Sequence, residues 1–453
     1  MKKGINFTGL LIAVIVFAVI LYFPILSNQK AQRALALLLL VAILWITESI
    51  PLPLTGLLIP VLAIFMQLLP PIAAFQEFAN PILFLFMGGF VIAGALSRHA
   101  LDKMLAQKLI RLAGGNFYKS AVLLMFATSI IASWVNNTSS TAMMIPLGLG
   151  MLILVQKNSV SAESKFLMLG IAYAANIGGI ITIISSPPNA IGAEILNISF
   201  LEWMKYSIPM FLITFPVMIT ILTLYFKPDR KMSIGVMVFE KGTDVPIKTL
   251  MFIFLFTIAM WMMEGVLSPM LKIGNGYNSV IAVIAIFLLF ITKVLTWEEI
   301  LKSINWEILL LFGGGLTLGM VIDESGLGAM LISKISSLIT VVPMYLFLLI
   351  IVIFTIILTE FMSNTASAAM ILPLLFSLSN ELNINPIIFV FPATIAASYG
   401  FMMPAGTPPN AMVFSSGYVP QKDMIKAGLV INIIFSILLT SFFYFVFYLR
   451  KLY

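Results

Sequence analysis

Residues 359–367 read Thr359-Glu360-Phe361-Met362-Ser363-Asn364-Thr365-Ala366-Ser367, and their polar centre sits inside an apolar region that runs from 343 to 380. Residues 136–141, Asn136-Asn137-Thr138-Ser139-Ser140-Thr141, interrupt a second such region, 120–155, in the same way. Each region holds two apolar stretches around a short polar centre, too short for two comfortable crossings of roughly 30 Å of hydrocarbon. The pattern predicts helical hairpins that enter and leave on one side. A further polar break follows each hairpin: Ser185-Ser186-Pro187-Pro188-Asn189 within 166–196, and Gly406-Thr407-Pro408-Pro409-Asn410 within 387–417. A Pro-Pro pair removes N–H donors and bars the preceding residue from the helical region, so both helices must break there.

The rest of the chain agrees. Of 453 residues, 61% are hydrophobic and 9% charged, and the mean hydropathy is +1.11. Soluble domains hold about 45–50% and about 25%. A globule of this size needs a polar shell, so the reading is an all-α membrane protein. Apolar runs near 5–26, 34–50, 52–69, 82–97, 166–196, 205–226, 249–267, 278–294, 307–322, 387–417 and 425–448 make about 11 transmembrane helices beside the two re-entrant hairpins. Met1-Lys2-Lys3 and the run after it could pass for a secretory signal. The run is about 20 residues long and lacks a small-x-small cleavage site, so it reads as a retained first helix. With the N-terminus in the cytoplasm and both hairpins re-entrant, 18 of the 25 Lys and Arg fall inside and 7 outside. That bias fits the positive-inside rule and accounts for the net charge of +7 without nucleic acid. The expected location is the cell (plasma or inner) membrane, with the C-terminus outside.

The chain also repeats itself. Leu83 to Gly89 answers Leu309 to Gly315 at an offset of 226, and Leu101, Met104 and Lys108 answer Leu327, Met330 and Lys334. Asn137-Thr138 answers Asn364-Thr365 at 227, Ser186 to Asn189 answers Thr407 to Asn410 at 221, and Trp45-x-x-Glu48 pairs with Trp261-x-x-Glu264 at 216. The repeats are 1–226 and 227–453. On this topology the first hairpin opens from the cytoplasm and the second from outside, so the halves are inverted. Inverted repeats with interrupted helices are the architecture of secondary transporters, whose site lies near mid-membrane. Duplication without transport is the plainer alternative.

The polar breaks carry the chemistry. A broken helix exposes carbonyls at one half-helix end, which suit a cation, and N–H groups at the next start, which suit an anion. Asn and Thr add hard oxygens for Na⁺ and donors for carboxylate. Helix capping alone accounts for any single cluster, but less well for four clusters in two matched pairs. No Lys or Arg falls in or beside them. A bound dianion would therefore rely on half-helix ends, amide and hydroxyl donors and coupling cations; the alternative is a neutral substrate.

Taken together, Ser-Asn-Thr hairpin tips partnered with Thr-Pro-Pro-Asn breaks resemble the divalent-anion:sodium symporter (DASS) family of di- and tricarboxylate transporters. The resemblance covers nearly the whole chain, including Trp45-x-x-Glu48-x-x-Pro51 and Gly313-Gly314-Gly315. It implies a homodimer in which a transport domain moves as an elevator against a scaffold. The scaffold would comprise 1–119 and 249–342, and the transport domain 120–226 and 343–453. The first sodium would lie at Asn136, Asn137 and backbone near Ala132 and Ser185. The second would lie at Thr359, Asn364 and backbone near Met362 and Gly406. Substrate would meet Asn137, Thr138, Ser186, Ser363, Asn364, Thr365, Thr407 and Pro408. The first motif departs from the family, with Asn136 where Ser is usual and Ser-Ser before the prolines. The resemblance implies import of C4-dicarboxylates such as succinate, fumarate or malate with two or more Na⁺. A sodium-independent exchanger and a citrate or sulfate carrier are alternatives on the same scaffold.

Other classes fit less well. A channel needs a polar helical stripe, which is missing from the sequence. With no cysteine and one histidine (His99), thiolate metal sites, histidine clusters and a Ser-His-Asp triad are excluded, so the chain is not read as an enzyme. Glu360, inside an apolar run, is a candidate for proton coupling, though pairing with backbone or scaffold is favoured. His99 reads as solvated or interfacial, segment 98–119 as an amphipathic surface arm, and Gly313–Gly315 as close helix packing rather than a phosphate loop.

Overall fold

The computed structural model of the protein describes residues 6–23, 25–99, 112–155, 160–234, 247–330, 342–449 and 451. Among them every regular element is a helix, and the single isolated bridge joins Asn116 and Ser233. In the first half the helices are α1 (Phe7–Tyr22), α2 (Gln29–Thr47), α3 (Leu52–Phe65), α4 (Pro71–Gln76), α5 (Pro81–Arg98), α6 (Phe117–Ala132), α7 (Asn137–Leu154), α8 (Ala162–Gly178), α9 (Pro187–Leu196) and α10 (Phe200–Phe226). In the second half they are α11 (Ile247–Met262), α12 (Glu264–Leu271), α13 (Tyr277–Ile291), α14 (Trp297–Ser303), α15 (Trp306–Glu324), α16 (Met344–Phe361), α17 (Asn364–Glu381), α18 (Ile387–Ala396), α19 (Pro408–Ser415) and α20 (Gln421–Phe443).

Every predicted apolar run coincides with a helix or a broken pair. Among the described residues, seven helices are long and apolar enough to cross a membrane, and five shorter ones are mainly apolar. Two details differ from expectation. The run 249–267 bends by 77° at Met263, between α11 and α12. The hairpin helices α7 and α16 are full length at 18 residues each, about 27 Å. Length therefore does not mark them as hairpins; their tips do, because they end inside the protein. Residues 100–111 of the expected surface arm, which include Leu101, Met104 and Lys108, and also Lys334, lie outside the described residues.

Local chemistry places the ends. Asn136 Oδ1 accepts the Ser139 N–H at 2.7 Å and Ser363 Oγ accepts that of Ala366 at 3.2 Å, so each caps the second helix of its hairpin. The Asn136 departure thus keeps the capping role. Pro187 and Pro408 open α9 and α19 at the first helical position, where a missing N–H has no cost.

Contacts between elements respect the repeat. α3 packs on α15 as α13 packs on α5; α7 packs on α19 as α17 packs on α9; α6 lies on α8 as α16 lies on α18. The Gly-rich run makes the first of these very close: a Cβ on Gly314 would stand 2.4 Å from Gly56 O. This is the close packing expected of Gly313–Gly315. Hydrogen bonds repeat as well. The Asn189 amide donates to Gly179 O and Thr182 O, both at 2.8 Å. The Asn410 amide donates to Gly400 O at 2.9 Å and Met403 O at 3.1 Å, all three residues displaced by 221. Each asparagine closes the gap in its own broken helix.

Longer-range bonds join residues that the charge count assigns to one side. On what we term the proximal face, Asn6 N donates to Ser49 O at 3.2 Å, Arg98 pairs with Glu299, Tyr118 meets Thr223 at 3.1 Å and Lys165 pairs with Asp423 at 2.7 Å. On the distal face, Arg33 donates to Met66 O at 3.1 Å, Ser279 to Pro81 O at 2.5 Å, and Tyr345 meets Ser441 at 3.0 Å. By these contacts α5 and α10 run from distal to proximal, whereas α15 and α20 run from proximal to distal. Large apolar side chains such as Leu11, Phe252 and Phe287 point outward at 60%, 69% and 61% exposure, as a lipid-facing surface requires.

Candidate functional site

All four polar breaks meet in one cavity of about 450 Å³. Asn137, Thr138, Ser186, Ser363, Asn364, Thr365, Thr407 and Pro408, the eight expected substrate residues, all line it. They sit at the first residues of α7, α9, α17 and α19 or at the residue just before. Four helix N-termini therefore converge. Each carries roughly half a positive charge, about two in all. Asn137, Thr138, Asn364 and Thr365 occupy the first two helical positions, whose N–H groups have no intrahelical acceptor. Among the described lining residues the one ionisable side chain is Glu307, exposed at the rim. The cavity thus presents donors and dipoles in place of basic side chains.

Asn176, which the sequence reading passed over, joins the two halves. Its Oδ1 accepts from Asn137 Nδ2 at 3.3 Å, and its Nδ2 donates to Thr407 Oγ1 at 3.1 Å. Leu52, Pro53, Asn305 and Glu307, also unforeseen, come from the starts of α3 and α15 and form the rim on the proximal face. A polar residue deep in an apolar helix was the one available signal for Asn176; the rim residues carry none.

The expected sodium ligands divide into two groups. In the second set, Asn364 Oδ1 stands 2.8 Å from Thr359 Oγ1 and 3.2 Å from both Ala397 O and Gly406 O. The carboxamide is satisfied in the opposite orientation, in which it donates to these three groups; turned as above, its oxygen would complete a ring of four oxygens around an ion. Hard oxygens of this kind fit Na⁺. Ala397, the positional counterpart of Asn176, is the unforeseen member, and Met362 lies behind the tip without lining the cavity. In the first set, Asn136 caps α7 and lines the cavity with Asn137 and Ser185, while Ala132 ends α6 behind them. The buried Asn137 Oδ1 makes no hydrogen bond among the described residues. An orphaned carbonyl oxygen at this place also fits a cation. Position 132, counterpart of Thr359, supplies no hydroxyl, so this set is the poorer in side-chain oxygen.

Glu360 is not at the cavity wall. Its Oε1 accepts the Met402 N–H at 2.8 Å and the Asn432 amide at 2.7 Å, and its Oε2 accepts the Met403 N–H at 2.8 Å. It braces the broken backbone between α18 and α19, the backbone pairing favoured from sequence. In the first half the same bracing runs the other way, with the Thr182 hydroxyl donating to Ser133 O.

A model of the citrate transporter family matches residues 42–390 and 344–453. An uncharacterized transporter of Haemophilus influenzae is 37% identical, with 97% of this chain and 96% of that one aligned. The sodium-dependent dicarboxylate transporter SdcS of Staphylococcus saprophyticus is 33% identical over 96% of this chain and 90% of its own length; that of Staphylococcus aureus USA300 is 34% identical over 97% and 90%. The crystal structure of the YdaH transporter of Alcanivorax borkumensis superposes with a TM-score of 0.56 at 15% identity, covering 82% of this chain and 86% of that one, a likeness of fold.

Proposed function

The chain belongs to the citrate transporter family, among the divalent-anion:sodium symporters, and is a transporter rather than an enzyme; on that premise we propose that it imports C4-dicarboxylates together with Na⁺. The observation that carries the proposal is the cavity in which two Asn-Thr tips and four helix starts converge, with no Lys or Arg among its described lining residues. Two matched tips suit two carboxylates. Four helix dipoles are equivalent to about two positive charges, which balances a dianion. Cations held by the Thr359–Asn364–Ala397–Gly406 oxygens and beside Asn137 would add the positive field needed to hold it in a dry interior. Succinate, fumarate and malate meet this description.

The motion we propose is an elevator. The opposite directions of α5 and α15, and of α10 and α20, support an inverted repeat, 1–226 and 227–453. The hairpins, broken helices, α10 and α20 would carry the site (120–226 and 343–453) past the scaffold of 1–119 and 249–342. We propose a homodimer in the cell membrane, N-termini in the cytoplasm and C-termini outside, consistent with the Lys and Arg bias. The cavity rim then faces the cytoplasm.

Uptake of labelled succinate into liposomes holding the purified protein tests this. Concentrative uptake that requires an inward sodium gradient is expected. Uptake indifferent to sodium but dependent on succinate inside would overturn symport in favour of exchange, and unsaturable flux would overturn the carrier reading.

A further inference from the structure

Trp261 and Glu264, the second copy of the Trp-x-x-Glu motif, take no part in the cavity. Glu264 Oε2 accepts the Phe200 backbone N–H at 3.1 Å and the Asn278 amide at 2.9 Å, while Trp261 Nε1 donates to Asn278 O at 3.0 Å. The Phe200 ring stacks on two indoles, Trp261 at 5.2 Å and 27° and Trp134 at 6.2 Å and 25°. Trp134 meets Phe254 edge-on at 5.7 Å. Trp134 belongs to the loop of the first hairpin and Phe200 opens α10, whereas Phe254, Trp261, Glu264 and Asn278 belong to α11–α13. This strap ties the proposed moving elements to the proposed scaffold, on the distal face.

The repeat supplies a counterpart for each ring. Trp134 corresponds to Phe361 (offset 227), Phe200 to Gln421 (221) and Trp261 to Trp45 (216). There the arrangement is undone. Phe361 is 63% exposed, Gln421 is exposed, and the wholly buried Trp45 indole has no hydrogen bond at Nε1 among the described residues. A buried donor without an acceptor is costly, so an arrangement that supplied one would be favoured. One strap is closed on the distal face while its twin is open on the face where the cavity has its rim.

We propose that the two straps are alternating latches. The distal one, Trp134–Phe200–Trp261 with Glu264, holds the state in which the site faces the proximal side. Its twin, in which Phe361 closes on the Trp45 element, holds the opposite state. Exchange of conformation between the halves of an inverted repeat opens one as it closes the other. The inference rests on the alternating-access reading above, but on neither its substrate nor its coupling ion.

The test uses the absence of native cysteine. Ser139→Cys places one thiol in the cavity wall, and a membrane-impermeant maleimide added from the distal side reports the minor, distal-open state. Adding Trp261→Ala is expected to raise that labelling rate about tenfold, as loss of an aromatic stack and its hydrogen bond allows. Adding Phe361→Ala is expected to lower it. Phe200→Leu, which keeps most of the volume but loses the stacking, should follow Trp261→Ala and serves if the tryptophan variant fails to insert. Changes in the same direction, or no change in either variant, would overturn the proposal. Labelling needs no substrate, so a failure of succinate uptake leaves this result standing on its own.

Discussion

Gly179, the residue that follows α8, offers the sharpest test of the site. A Cβ built there would stand 2.1 Å from Asn137 Oδ1, 2.7 Å from its Cγ and 2.8 Å from its Nδ2. The backbone lies at φ −64° and ψ −8°, which alanine adopts freely. The collision is therefore the whole effect of Gly179→Ala. To restore ordinary contact the Asn137 amide must retreat by about 1 Å, which breaks its bond to Asn176 and moves a donor from the substrate's position. A displacement of that size costs about 10²-fold in rate, beside an overpacking penalty of about 1–3 kcal/mol. The repeat provides the control. At Gly400, displaced by 221, a Cβ would meet Thr359 O at 3.4 Å and Thr407 Cγ2 at 3.5 Å, ordinary contacts. Gly400→Ala should lose less than about threefold. The assay is the initial rate of dicarboxylate uptake into proteoliposomes at matched protein, with size-exclusion profiles to certify folding. Equal losses in the two variants, or full activity in Gly179→Ala, would refute the reasoning.

Three further outcomes are expected. Glu360→Ala strands the Met402 and Met403 N–H groups and the Asn432 amide, so thermal unfolding in detergent should show a loss of about 1–3 kcal/mol for each buried donor left unpaired; an unchanged melting temperature would deny the bracing role. Thr359→Val removes one oxygen of the buried ring without changing its shape, and should raise the half-saturating sodium concentration about tenfold while leaving the rate at saturating sodium near normal. An unshifted sodium dependence would remove Thr359 from the ion site. Lys165→Ala breaks a pair whose side chains are about a quarter exposed, so stability should fall by at most about 1 kcal/mol and less in high salt; a larger, salt-independent loss in chemical denaturation would contradict this.

The four polar breaks were legible in the sequence because polar clusters inside apolar runs, paired at offsets of 221 and 227, have few physical explanations other than interrupted helices. Asn176 was not, since one amide in a buried helix is equally suited to a helix–helix hydrogen bond, and its bridging role depends on Thr407 arriving from the other half. Asn305 and the start of α3 enter the cavity through packing alone, with no local pattern to show it. The bend at Met263 also escaped notice: nothing at that residue forbids a helix, and Gly265 and Pro269 come only after it. Asn136 was visible as an oddity, but its meaning needed the cap geometry, in which Asn and Ser serve alike.

The backbone contact of Gly56 with Gly314 bears on how the molecule is made. Each tight pair of helices in the proposed scaffold, α3 with α15 and α5 with α13, takes one member from the early part of the chain and one from the late part. While the ribosome is still synthesising residues beyond α10, α3 and α5 already lie in the bilayer without these late partners, although α3 has α2 beside it. Their small-residue grooves stay filled with lipid until α13 and α15 arrive. Neither segment should therefore mature alone, and separately expressed halves should accumulate only when both are produced in the same membrane.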